Sequence, residues 1–153
     1  SKISGYNPKV ISSARNLNDK MGKMVAYRFM KKMKSKSILI ENSRILIMGL
    51  TFKENCPDLR NAGIFNVIEN LKKKKCILEF YEPLAAEIEI KKIYGKKPIK
   101  KLTSRKYDGI IIAVAHEYLK KMGIRNIIRL GKKNHVIFDL KSIFDKKYTS
   151  ITL

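Results

Sequence analysis

The sequence predicts an α/β protein, a doubly wound parallel sheet of about five strands preceded by one long N-terminal helix. Three observations carry this expectation. Apolar residues recur at spacings of three and four over residues 8–33, and beyond Arg44 they gather into short Ile- and Val-rich runs. Those runs alternate with helical stretches over short links, the pattern of a parallel sheet covered on both faces. At 153 residues and 44% hydrophobic content, the chain is long enough for one domain whose core needs neither metal nor disulfide.

Taken in order, Val10, Ile11, Ala14, Leu17, Met21, Met24, Val25, Phe29 and Met33 form one narrow seam on a helix of about seven turns, with Pro8 allowed in its first turn. Such a helix has more length than one small domain can cover. Its seam is expected to pack on another helix, of a partner subunit or of a further domain; the alternative is an N-terminal helix lying on its own sheet. A Lys/Ser stretch ends near Asn42 and Ser43, and the period changes there. Residues 44–49 read as a buried strand, 61–75 as a helix, 77–81 as a second strand and 84–93 as a helix. A short third strand is expected around 98–102 and a fourth at 109–115. One or two helical segments over 117–130 break near Gly123, and a fifth strand spans 136–140. Right-handed crossovers then favour the strand order 3-2-1-4-5. Asp58 or Asn61 is placed to cap the helix at 61, Cys76 reads as core, and Lys72 to Lys75 complement the end of a helix dipole.

Charge is the second strong signal. Lys+Arg 34 against Asp+Glu 13 gives +21, and 27 of the basic residues are Lys against 7 Arg. Proteins that read bases favour the planar fork of Arg. Lys and Ile are both over-used, so a coding bias accounts for the charge without a nucleic-acid partner; the rival reading is a phosphate-tracking basic module. The longest apolar run, residues 110–115, is far short of the ~20 residues a membrane span requires. Two cysteines give no disulfide framework and no apolar leader stands at the start, which suits the cytoplasm. Ser1 in place of Met reads as a piece of a longer polypeptide.

In an open doubly wound sheet, ligands bind beyond the carboxyl ends of the strands. That edge receives Leu50 to Glu54 after the first strand, Glu82 and Pro83 after the second, His116 after the fourth and Asp139 to Lys141 after the fifth. Lys53 and Lys141 are expected to converge there on an anion or polyhydroxyl site. No G-x-G-x-x-G follows the first strand, which argues against a standard NAD cradle in this domain. Cys56, Cys76, His116 and His135 lack the paired spacing of a zinc site. Cys56 as nucleophile with His116 as base is a candidate because both fall at the same edge of the sheet. Asp108 and Asp139 form no recognisable acid/base pair.

The run Met48-Gly49-Leu50-Thr51-Phe52-Lys53-Glu54-Asn55-Cys56-Pro57-Asp58-Leu59-Arg60-Asn61 closely resembles the opening of the C-terminal domain of the UDP-glucose/GDP-mannose dehydrogenase family. The likeness continues through Phe80-Tyr81-Glu82-Pro83, Tyr107-Asp108-Gly109, Ala113-Val114-Ala115-His116 and Phe138-Asp139-Leu140-Lys141-Ser142. Upstream, Gly5-Tyr6-Asn7-Pro8 and Asn18-Asp19-Lys20-Met21-Gly22 resemble the second half of that family's central helix. The loop and the Ala-Val-Ala-His segment look most like the UDP-N-acetylhexosamine 6-dehydrogenases of capsule, Vi-antigen and O-antigen synthesis.

The resemblance implies a Rossmann-like UDP-sugar-binding domain at 42–153, preceded at 1–41 by the end of a dimerisation helix. It implies a cytoplasmic homodimer through that helix, with a UDP-sugar substrate and no specific nucleic-acid or membrane partner. NAD would be bound mainly by a separate N-terminal domain, and the family's catalytic Cys would precede Gly5, so these 153 residues are expected to be inactive alone. Phe52 and Lys53 match a Phe-Lys pair that contacts the UDP-sugar, and Lys141 matches a basic residue that reaches the active site. Glu82 stands where Asp is more usual, and Arg60 matches a recurrent Arg with an alternative role in an ion pair to Asp58 or Glu54.

Overall fold

A computed structural model describes the backbone of residues 8–153 and the side chains from Asn16 onward. The Gly5-Tyr6-Asn7 segment and the side chains of Val10, Ile11 and Ala14 lie outside the described residues. In chain order the elements are α1 (Pro8–Ser35), β1 (Arg44–Met48), α2 (Ile64–Lys73), β2 (Ile77–Tyr81), α3 (Glu87–Tyr94) and β3 (Tyr107–Ile112). Then follow α4 (Glu117–Met122), α5 (Ile124–Ile128), β4 (Gly131–Asp139), a 3-10 turn (Lys146–Tyr148) and β5 (Ile151–Thr152). The five strands form one parallel sheet in the order β2-β1-β3-β4-β5.

Alternation along the strands explains why both faces are covered. Ile45 and Ile47 of β1, with Ile111 of β3 and Phe138 of β4, join a core closed by α1, α2 and α3. Leu46, Met48, Ile110 and Ile112 point the other way, toward Leu119 of α4 and Ile127 of α5. In α2 the buried residues Ile64, Val67, Ile68 and Leu71 fall at i, i+3, i+4 and i+7, a single stripe turned to the sheet. Helices α4 and α5 meet at Gly123, the break expected from the sequence.

Two expectations need correction. Residues 98–102 are not a strand: Pro98 has no N–H to donate, and Ile99 and Leu102 are spaced by three rather than two as they pack on the second core. The segment does lie beside β2, through one bond from Ile99 N–H to Phe80 O at 2.7 Å, while Lys96 Nζ donates to Leu78 O at 3.0 Å. The fifth strand of the sheet is instead β5, two residues paired with Phe138 and Asp139. The order is therefore not 3-2-1-4-5 but the same layout shifted by one strand toward β5.

The seam of α1 is buried over only part of its length. Val25, Phe29 and Met33 are buried in the sheet's own core, whereas Leu17, Met21 and Met24 remain exposed. Phe29 stacks on Phe138 with ring centres 6.3 Å apart and lies directly over Gly109, where any β-carbon would enter the ring's contact distance. Gly22 likewise lets α1 approach Asn66 of α2. The packing has no break at residue 41, because the second half of α1 belongs to the same core as the sheet.

Candidate functional site

The carboxyl edge of the sheet is organised around the connection from β1 to α2, residues 49–63. Gly49 starts it with φ +88°, and a β-carbon there would lie 2.9 Å from Val114 Cβ, so both the turn and the close approach to β3's extension require glycine. The loop then leans on two buried polar side chains. Glu82, just after β2, accepts from Leu50 N–H (2.9 Å) and Leu84 N–H (2.9 Å). His116, at the N-terminus of α4, accepts from Asn55 N–H at Nδ1 (2.9 Å), which assigns its proton to Nε2. That Nε2–H points between Thr51 Oγ1 (3.0 Å) and Glu82 Oε2 (3.2 Å), and the Thr51 hydroxyl passes its own proton to Lys53 O (2.8 Å). Asn55, at φ +56°, accepts from Glu117 N–H through its side chain. Tyr118 stacks on the His116 ring, 4.9 Å between centres.

A cleft of about 220 Å³ opens beside this loop, between α1, α2 and the strand ends. Its walls are apolar, from Met21 and Val25 of α1 and Ile64 and Val67 of α2, and Phe52 and Lys141 add one aromatic ring and one ammonium. Phe52 is 51% exposed. The volume is below the ~300–1,000 Å³ of a site that encloses a whole small ligand. The cleft suits one part of a larger molecule.

Of the residues expected at this edge, Phe52 and Lys141 are brought together. Lys53 is not among the residues lining the cleft; its Nζ lies 5.5 Å from the ring centre of Phe52, which does line it. Arg60 makes the ion pair with Asp58, through Nε to Oδ1 (3.0 Å) and Nη2 to Oδ2 (2.8 Å), and this hydrogen-bonded guanidinium holds the Asp58 carboxyl at about 2. Neither Asp58 nor Asn61 caps α2, whose N-cap is Gly63 with no side-chain bond. His116 spends both ring nitrogens within the loop anchor, so it is not a base for Cys56. Cys76 donates to Ile40 O and packs against the core, as expected. The pairing of Glu82 with His116 went unseen in the sequence; the available signal was that both stand beyond strand ends at the carboxyl edge.

A dinucleotide pyrophosphate needs a short glycine turn into a helix N-terminus. Here the long 49–63 connection separates β1 from α2, and Leu50, Thr51 and Phe52 stand where close backbone approach would require glycine. The residues do not fit NAD. Among the described residues no group of three His, Cys, Asp or Glu is placed to hold a metal ion, and no helix is long and apolar enough to cross a membrane.

Comparison with known proteins agrees with this frame. The model of the UDP-glucose/GDP-mannose dehydrogenase family, UDP binding domain, matches residues 46–146. UDP-N-acetyl-D-glucosamine 6-dehydrogenases of Salmonella typhi and Pseudomonas aeruginosa are each 40% identical over 149 residues, 97% of this chain and 35% of theirs. Protein CapL of Staphylococcus aureus is 31% identical over 149 residues, again 97% of this chain and 35% of that protein. The chain thus spans about a third of the length of the curated relatives it matches. An NDP-N-acetyl-D-galactosaminuronic acid dehydrogenase from Methanosarcina mazei Go1 superposes with a TM-score of 0.76 at 17% identity, over 97% of this chain and 30% of that one. A UDP-D-ManNAc dehydrogenase from Pyrococcus horikoshii gives 0.70 at 20% identity, over 94% and 32%. These two superpositions speak to the fold alone. With its loop, its parallel sheet and the match over residues 46–146, the chain belongs to the UDP-glucose/GDP-mannose dehydrogenase family and carries that family's UDP binding domain.

Proposed function

We propose that the chain is the nucleotide-sugar-binding and dimerisation part of an NAD-dependent UDP-N-acetylhexosamine 6-dehydrogenase, which oxidises the sugar C6 alcohol to a carboxylate for capsule or O-antigen polysaccharide. The observation that carries this reading is the cleft at the carboxyl edge, shared by Phe52 and Lys141. The Lys141 ammonium supplies a charge for a pyrophosphate oxygen or donors for sugar hydroxyls, and Phe52 covers an apolar face of base or sugar. Lys53, on the same loop, reaches the ligand after turning away from the Phe52 ring. The small cleft and the absence of a dinucleotide cradle support a divided site, in which NAD and the reacting C6 belong to other parts of the enzyme. The names of the 40% identical relatives support an N-acetyl sugar.

Residues 1–41 serve as the dimerisation helix and 42–153 as the UDP-sugar domain, with the second half of α1 shared between them. Leu17, Met21 and Met24, exposed on α1, support a helix-to-helix contact with a second subunit. Two free thiols, Cys56 and Cys76, support a reducing compartment such as the cytoplasm.

Titrating the 153-residue chain with UDP-N-acetylglucosamine in a calorimeter, and separately with duplex DNA at two salt concentrations, tests the reading. The expected result is saturable UDP-sugar binding that weakens by about tenfold or more in Phe52→Ala and Lys141→Ala. Steeply salt-dependent DNA binding with no response to the UDP-sugar would replace this function by phosphate tracking.

A further inference from the structure

We propose that Glu82 and His116 are positioning residues for nucleotide-sugar recognition, a buried pair that fixes residues 50–55 and so presents Phe52 to the ligand without touching it. This inference rests on the reading in which Phe52 contacts the ligand.

The argument starts from burial. Both side chains are wholly removed from solvent, and among the described residues the carboxylate has no Lys or Arg as a hydrogen-bonded partner. A buried carboxylate is costly unless its oxygens are satisfied, and packed apolar residues would commonly serve stability as well or better. A pair of this kind earns its place by specifying one conformation. Only the bond to Leu84 N–H is local; those to Leu50 N–H and His116 Nε2 cross 32 and 34 residues and tie the ends of β1, β2 and β3 into one knot.

The bonds are distributed along the loop in a telling order. Leu50 is held by Glu82, Thr51 by His116, Lys53 by the Thr51 hydroxyl, and Asn55 by His116 on one side and α4 on the other. Phe52 is the residue left between these anchors with its ring in solvent, and even its N–H is committed, to Asp58 O at 2.7 Å. An exposed aromatic on a loop already in its binding shape loses little further backbone freedom when ligand arrives, and that preorganisation appears as affinity. The direction of the proton chain matters as well. Asn55 N–H can donate to Nδ1 only while the ring proton is on Nε2, and there it meets two acceptors, so the tautomer and the loop conformation define each other.

The test uses Glu82→Gln, which keeps the shape but sets an amide donor either against the Leu84 N–H or against the Leu50 N–H and the His116 Nε2–H, and Thr51→Val, which removes only the relaying hydroxyl. Thr51→Val decides the matter if Glu82→Gln does not fold. Amide hydrogen exchange of residues 50–55 is compared with that of β1 and β3, and UDP-N-acetylglucosamine affinity is measured with Phe52 and again with Phe52→Ala. Expected are loop amides exchanging about tenfold faster or more beside an unchanged sheet, and affinity about tenfold weaker with Phe52 present but no weaker in the Phe52→Ala background. Unchanged loop exchange overturns the proposal, as does wild-type affinity in a loosened loop, or the same loss in both backgrounds. Failure of the underlying function reads out differently: the unmodified chain binds no UDP-sugar, or Phe52→Ala binds as well as it does, and the positioning role then falls with it.

Discussion

Replacing Phe29 by Ala removes a wholly buried ring from the junction of α1 with the sheet. Truncating a buried Phe costs about 3–5 kcal/mol, of which ~0.5–1.5 belongs to the stacked pair, here with Phe138. A domain of this size is stable by only about 5–15 kcal/mol, so one substitution would remove about a fifth of it at the least. The thermal midpoint should fall by roughly 6–20 °C, at about 2–4 °C per kcal/mol for a chain of ~150 residues. The opposing surface gives a sharper version. Gly109→Ala alone drives a methyl into the Phe29 ring and should cost about 1–3 kcal/mol. In a Phe29→Ala background the collision disappears, the methyl fills part of the void, and the usual penalty of ~0.5–1 kcal/mol for strand glycine is relieved. The double variant should therefore be at least ~1 kcal/mol more stable than the sum of the two single effects. Urea unfolding followed by far-ultraviolet circular dichroism measures all four proteins. A loss below ~1 kcal/mol for Phe29→Ala, or strict additivity in the cycle, would mean that α1 is not keyed into the sheet and that the chain does divide near residue 41.

Two further outcomes follow from the same geometry. Gly22→Ala should destabilise by about 1–3 kcal/mol in urea, opposite in sign to the ~1 kcal/mol gain of Ala over Gly in an unencumbered helix, because its methyl would meet Asn66 of α2. Burial pushes the hydroxyls of Tyr94, Tyr107 and Tyr118 up, helped at Tyr107 by its bond to the Glu79 carboxylate. Their folded values lie above the ordinary tyrosine value near ~10, so their contribution to stability is complete below that pH and is lost as pH rises beyond it. Absorbance at ~295 nm should show these rings ionising in one cooperative step with the loss of circular dichroism; ionisation while the fold persists would contradict their burial.

The parts of the fold that the sequence made legible are those in which one-dimensional pattern and packing coincide. The stripe of α2 and the apolar run over 110–115 could face nothing but the core, and Gly123 broke the helical pattern where the chain breaks. Residues 98–102 misled because a short apolar pair beside lysines has too few positions to separate a period of two from a spacing of three. β5 is two residues long and offers no period at all. On α1 the seam was visible, yet periodicity cannot say whether an apolar face meets its own sheet or a second chain, and the structure assigns parts of it differently. At the site, topology sends Lys141 and the loop that carries Phe52 to one edge, and it was the family resemblance that singled out Phe52. The Glu82 and His116 bond joins residues 34 apart, a distance that no local spacing rule spans.

The stretch beside β2 that fails to become a strand has a consequence of its own. A sheet edge is a template for another chain, and β2 is such an edge, but its Phe80 carbonyl is taken by Ile99 N–H and its Leu78 carbonyl by the Lys96 ammonium. Pro98 cannot continue the ladder, and Lys96 sets its positive charge on the same border, while Lys97 and Lys100 pair with Glu87 of α3. Two copies brought edge to edge there would find these acceptors already occupied. Under the proposed assembly through exposed apolar residues of α1, this edge of the sheet offers no competing surface.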